Sequence, residues 1–170
     1  MGGRSGLDGD PPVPLRMLRL ALAGLHLIAL GLGLGAVLNR GTALREPLAP
    51  GALKRAFRAD ALWGISFALW LSTGLWRLFG ETEKSTSFYM NNHAFFAKMG
   101  FLVAILALEI WPMVALIRWR AALRRGAAPE TVVDAAAARR IAIFSHVQAT
   151  LVVCMVFAAV AMARGFGVRS

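Results

Sequence analysis

The chain is short of cysteine, of acid, and of charge over most of its length. Its 170 residues include a single cysteine, Cys154. One cysteine makes no intrachain disulfide and no cysteine-built metal site, which excludes a secreted disulfide scaffold. Set in an apolar run, it reads as a small packing residue. Acid is scarce too: nine Asp+Glu stand against 19 Lys+Arg, for a formal net charge of +10. Charge is scarcest in four apolar runs, 18–38, 59–79, 95–117 and 141–163. Those 88 residues hold only Arg19, Asp60, Arg77, Lys98 and Glu109, while the other 82 hold 23 charges. A soluble globule does not segregate charge in this way. The chain is 58% hydrophobic, against about 45–50% for an ordinary soluble domain.

Each run is long enough to cross a hydrocarbon core of about 30 Å as a helix. The expected fold is all-α, a four-helix transmembrane bundle with the lipid bilayer as its first partner. A soluble enzyme and a nucleic-acid-binding domain are excluded, and the net charge is explained by the membrane. The loops after the first and third runs carry Arg40, Arg45, Lys54, Arg55, Arg58, Arg118, Arg120, Arg124, Arg125, Arg139 and Arg140. That is 11 basic residues, against seven on the opposite side (Arg4, Arg16, Arg19, Arg77, Lys84, Arg164 and Arg169). Basic loops stay in the cytoplasm. Both termini and the 80–94 loop then face outward, in a multi-pass protein of the bacterial inner membrane. Trp76 and Trp119 fall near opposite span ends, where aromatic anchors sit.

One domain is expected over 17–165, with a Gly/Pro/Asp-rich disordered segment at 1–16 and a short tail at 166–170. Gly6 stands where a myristoylation signal needs Ser or Thr. The first run is too long for a signal-peptide core and is expected to be retained. Met17 is an alternative start. After Pro47 and Pro50, Leu53 and Phe57 oppose Lys54, Arg55 and Arg58, which predicts an interfacial helix running into the second span. Pro112 is expected to kink the third span after Glu109. The charge order from Glu130 and Asp134 to Arg139 and Arg140 suits one long helix from Pro129 through the fourth span. Gly31 and Gly35 form a Gly-x-x-x-Gly pair that lets a neighbouring helix or a flat ligand approach.

Ionisable residues at membrane depth are functional candidates by default. At 1.5 Å per residue, Lys98 lies about 5 Å from the outer face, Ser72 about 10 Å, and His26 about 13 Å. Glu109 and His146 both lie about 21 Å in, and Asp60 is near the inner boundary. Two groups result. His26, Lys98, Ser72 and Thr73 share the outer half. Glu109, His146, Asp60 and Arg58 share the inner half, with Glu109 expected against His146 and Asp60 against Arg58. Asn39-Arg40 closes the first run. His26 is the sharpest residue, because neutral imidazole is the usual haem ligand and a packed histidine is the plain alternative. His26 and His146 are a less attractive pair of ligands for one haem, because their depths differ by about 8 Å. The methionines, including Met99, Met113, Met155 and Met162, are scattered and read as packing.

Span one reads Ala-Gly-Leu-His26-Leu-Ile-Ala-Leu-Gly-Leu-Gly-Leu-Gly-Ala-Val-Leu-Asn-Arg40, span two ends Leu-Ser-Thr73-Gly74-Leu-Trp76, and span three opens Phe95-Phe96-Ala-Lys98-Met-Gly100. This resembles a family of bacterial four-helix membrane proteins classed as a domain of unknown function, over nearly all of 18–165. The layout is also similar to HemJ-type protoporphyrinogen oxidases and, more distantly, to CopD-type copper-resistance proteins. The HemJ-type resemblance implies haem b, with His26 as iron ligand and Lys98 as its functional partner. Read beside the resemblance as a haem-binding oxidoreductase, the chain is expected to handle protons with Lys98 and with its own Glu109 and His146, and to flank a tetrapyrrole with Gly31, Gly35, Arg40 and Arg58. Asp60-x-x-Trp63, Glu109, Pro112 and His146 depart from the HemJ-type pattern and point to a sister family. The alternative is a small proton- or metal-coupled transporter, or an accessory subunit that docks as a homo-oligomer or in a larger membrane complex.

Overall fold

The structure is a computed structural model, and it describes residues 12–79 and 92–166. The outer loop with Glu81, Glu83, Lys84, Tyr89 and Asn91, the first 11 residues and the last four lie outside the described residues. The elements are α1 (Val13–Ala43), α2 (Ala52–Phe79), α3 (His93–Arg124), the single turn α4 (Pro129–Val132) and α5 (Ala135–Ala163). Each long helix contains one of the four apolar runs; α1 and α3 extend past both ends of theirs, and α2 and α5 past the start.

Local sequence sets the ends. Pro14 lies in the first turn of α1, where its missing N–H would have had no partner anyway. Val13 to Arg16 are therefore helical, although the composition of 1–16 predicts disorder. Gly51 turns the chain into α2 at φ +72°, a conformation that favours glycine. Asn92 accepts from the Ala94 N–H at the start of α3, and α3 continues through Pro112 as one element. The single helix expected from Pro129 is in fact two. Val133 and Asp134 leave helical geometry, and the Asp134 carboxylate caps α5 by accepting from the N–H groups of Ala136 and Ala137.

Three helices, α1, α3 and α5, are long and apolar enough to cross a membrane. The second is not among them. Its first turns carry Lys54, Arg55, Arg58 and Asp60, and Ser66, Ser72, Thr73 and three tryptophans dilute the rest.

Helix α1 is the centre of the bundle. It packs against α2 on one side and α5 on the other, α3 packs on α5, and α2 and α3 make little contact. The buried residues of α1 are Leu22, His26, Ala29, Gly33, Ala36, Val37, Arg40, Gly41 and Ala43. That spacing of three and four is one helix face. His26 and Arg40 share it, about 21 Å apart along the axis. Between them Ala29, Ala36 and Val37 meet Trp63, Ile105, Ala149 and Val152 in a dry apolar layer. A second cluster (Leu44, Ala56, Leu116, Trp119, Val133, Ala138 and Ile141) closes the other end. Trp119 is 7% exposed and part of this cluster, so it is core and no headgroup anchor, whereas Trp76 is 57% exposed.

Close approach is made at glycines other than the expected pair. A methyl at Gly31 or Gly35 would meet nothing within 4 Å. At Gly33 it would lie 3.3 Å from the Trp63 ring, and at Gly41 only 2.7 Å from His146 Cε1. Gly41→Ala is therefore expected to destabilise by about 1–3 kcal/mol through overpacking. Gly31→Ala and Gly35→Ala should be neutral or stabilise by about 0.5–1 kcal/mol each. Thermal unfolding in mild detergent distinguishes the two cases, and equal effects at all three positions would contradict the packing described.

Candidate functional site

Two polar sites occupy the two ends of the α1 face. The first is built on Arg40, which is 0% exposed. Its Nη1 donates to Asp60 Oδ1 at 2.9 Å and to Glu109 Oε1 at 2.6 Å, and its Nη2 donates to Glu109 Oε2 at 2.8 Å. The grip on Glu109 is bidentate, the fork geometry that guanidinium offers a carboxylate. Nη2 also donates to Gln148 Oε1 at 2.8 Å, and Nε donates to Ser145 Oγ at 3.0 Å. Gln148 Nε2 in turn donates to Glu109 Oε2 at 2.7 Å and to the Ile105 carbonyl at 3.2 Å. Arg120 completes the set, with Nη2 3.7 Å from Asp60 Oδ2 and donating to the Phe57 carbonyl at 2.9 Å. Two guanidinium groups thus balance two carboxylates, and α1, α2, α3 and α5 all contribute. A buried charge this well matched and hydrogen-bonded is tolerated; stripped of one partner it is not.

The pairings differ from those expected. Glu109 meets Arg40 and Gln148, not His146. His146 Nδ1 hydrogen-bonds to the Ala142 carbonyl at 2.6 Å, and its Nε2 lies 3.4 Å from Arg45 Nη2. Asp60 meets Arg40 and Arg120, not Arg58, which is exposed. A helix lets the i and i+3 positions share a face, so Ser145 and Gln148 reach the cluster while His146 turns toward Gly41.

The second site is a cavity of about 340 Å³ at the His26 end, within the range of small-molecule sites. All four long helices line it: His26 and Leu30 from α1, Trp70, Gly74 and Arg77 from α2, Lys98 and Met99 from α3, Met155 and Met162 from α5. Helices α2 and α3 are tied at the far end by Arg120 and by Arg40. Three of the four methionines read as scattered converge on this wall, and Met113 does not.

His26 is held firmly. It is 8% exposed and stacks on Trp70 with ring centroids 5.2 Å apart. A methyl at Gly74 would come within 3.1 Å of its Cε1, so glycine leaves room for the imidazole. Its Nδ1 is 2.9 Å from Thr73 Oγ1. That hydroxyl also lies 2.8 Å from the Leu69 carbonyl and 3.0 Å from the Trp70 carbonyl. A hydroxyl has one proton. Given to a carbonyl, it leaves the oxygen to accept from His26 Nδ1–H. With the proton placed there, the imidazole is assigned as the Nδ1–H tautomer. This is how a metal-binding histidine is oriented from its outer side. Lys98 Nζ lies 5.9 Å from the Trp70 ring centroid.

Of the outer-half group, His26, Thr73 and Lys98 come together; Ser72 is exposed and donates to the Ala68 carbonyl of its own helix. Gly31 and Gly35 are exposed and away from the cavity, and Arg40 and Arg58 lie at the opposite end. Trp70 and Arg77 were not foreseen in the site, although the spacing of Trp63, Ser66, Trp70 and Thr73 at three and four marks the buried face of α2. Among the described residues, no three His, Cys, Asp or Glu side chains gather as a metal site.

No curated protein and no solved structure matches the chain, so the likeness to HemJ-type and CopD-type proteins gains no support from them. A family model described as "Predicted membrane protein (DUF2214)" matches residues 18–167, and the chain belongs to that family.

Proposed function

We propose that this is a four-span protein of the bacterial inner membrane whose His26 cavity, in the outer half of the bilayer, binds a tetrapyrrole, haem b in its iron form. The observation that carries this is the Thr73–His26 hydrogen bond at the wall of a largely apolar cavity. It presents a lone-pair nitrogen, the donor that haem iron takes from a histidine. The remaining wall fits the rest of such a ligand. Leu30, Leu71 and Leu102 are apolar, and methionine sulfur makes favourable contacts with aromatic rings. Lys98 and Arg77 add positive charge for acidic side arms. Bound haem would supply a one-electron couple. The chain would supply the ligand nitrogen, exclude water and set the charge around it. The fourth span is α2, whose polar first turns would lie at the cytoplasmic boundary beside the basic loops. The Arg40 cluster is architectural in this scheme: Glu109 is held by three hydrogen bonds in a charge-matched group and is not a carrier of protons.

Expression with ample haem, purification in mild detergent and a pyridine haemochrome assay should give about one haem per chain, by analogy with single-histidine haem sites. Protein that is folded by circular dichroism but carries no haem would count against the proposal.

A further inference from the structure

Among the described residues, few side chains on the wall of the His26 cavity can ligate iron. Besides His26 they are the Lys98 amine and the thioethers of Met99, Met155 and Met162. An ammonium group has no lone pair to give. Thioether sulfur is an established haem ligand beside histidine. The registers of the helices separate the three methionines. Arg40 touches Glu109, Ser145 and Gln148, which sets α1, α3 and α5 at one level. His26 lies about 21 Å outward of that level on α1. An equal rise reaches residue 95 on α3 and residues 159–162 on α5. Met162 is therefore level with His26. Met99 lies about 6 Å deeper, and Met155 about 10 Å deeper than Met162. Met162 also continues the inward face of α5. Ser145, Gln148, Val152 and Met155 are buried at spacings of three and four, and Ala159 and Met162 extend that face to the cavity wall. Met155, 3% exposed, packs in the apolar layer with Trp63 and Val152.

We propose that Met162 supplies the second axial ligand of the haem that His26 holds. This rests on the cavity being a tetrapyrrole site and specifies the chemistry of that site. The protein then fills both axial positions, which leaves no place on the iron for dioxygen. A methionine beside the histidine also raises the reduction potential.

The test uses the full chain with haem in lipid nanodiscs, read by absorption, near-infrared magnetic circular dichroism and redox titration. The wild type should be low-spin and show the ferric charge-transfer band of thioether ligation. Met162→Leu should keep its haem, become high-spin, fall in potential, and bind carbon monoxide in the ferrous form at least about tenfold more tightly. Met99→Leu and Met155→Leu should keep the wild-type spectrum. Met162→His provides a second variant if Met162→Leu misfolds, and it should stay low-spin but lose the thioether band. A haem-loaded wild type without that band, or a band unchanged in either folded Met162 variant, would overturn the inference and leave the tetrapyrrole site standing. No haem bound by the folded wild type would overturn both.

Discussion

Arg40→Leu is expected to destabilise the protein by about 3–5 kcal/mol, the usual penalty for stranding buried charge by removing one partner. The side chain is fully buried and touches two carboxylates, Ser145 and Gln148. Without it, among the described residues Asp60 keeps Arg120 at 3.7 Å and Glu109 keeps the Gln148 amide. Both carboxylates are poorly solvated, with side chains 13% and 19% exposed. Arg40→Lys should rescue only in part, because a point charge replaces a fork that donates through Nε, Nη1 and Nη2 at once. Replacing the carboxylates in the same chain, as Arg40→Leu/Asp60→Leu/Glu109→Met, should recover most of the loss, since hydrophobic replacement of a whole buried ion group is often near neutral. Arg58→Ala, on the exposed side of α2, should stay within about 0.5 kcal/mol. Thermal or denaturant unfolding in mild detergent reads all four variants. A loss under about 1 kcal/mol for Arg40→Leu would show that the cluster does not hold the bundle.

His26→Ala should abolish haem binding, a drop of at least about a hundredfold in affinity, because the iron loses its protein nitrogen. The fold should survive, since the Arg40 cluster and the apolar layer between Ala29 and Val37 are untouched. Thr73→Val removes the hydroxyl and keeps the shape. It frees the imidazole to adopt the other tautomer, and loss of such an outer partner typically costs about 10–100-fold in metal affinity. The graded order, with Thr73→Val between the wild type and His26→Ala, separates a positioned ligand from a packed histidine. A histidine that merely packs would show no haem-dependent difference between the two variants.

Much of the architecture is legible in the sequence, and the reasons are local. Apolar runs flanked by Pro, Gly and basic clusters locate the four long helices. Depth along a helix is simple arithmetic, so His26, Thr73 and Lys98 could be grouped before their contacts were known. Pairing around the helix axis is harder. Arg40 lies two residues past the run that ends at Leu38 and counts as a loop charge, yet α1 continues to Ala43 and buries it. The signal was present: Ala29, Gly33, Ala36 and Arg40 keep the same face as His26, and two carboxylates at membrane depth need a cation. Depth alone matched Glu109 to His146, but Ser145 and Gln148 occupy the inward face of α5 and His146 does not. Gly31 and Gly35 fit a packing motif on the wrong side of α1, because the motif carries no information about which face meets a neighbour. The break at Val133 went unread because Asp134, which counted as a favourable first-turn charge, is a cap.

The most direct test of the tetrapyrrole site is a titration of the purified apoprotein with haem, followed at the Soret band, with His26→Ala beside the wild type. Saturable binding at one equivalent with a shifted Soret band in the wild type, absent in a folded His26→Ala, is the result expected. Identical spectra for the two proteins, or no saturable shift in either, would contradict the assignment of His26 as the ligand and of the cavity as its site.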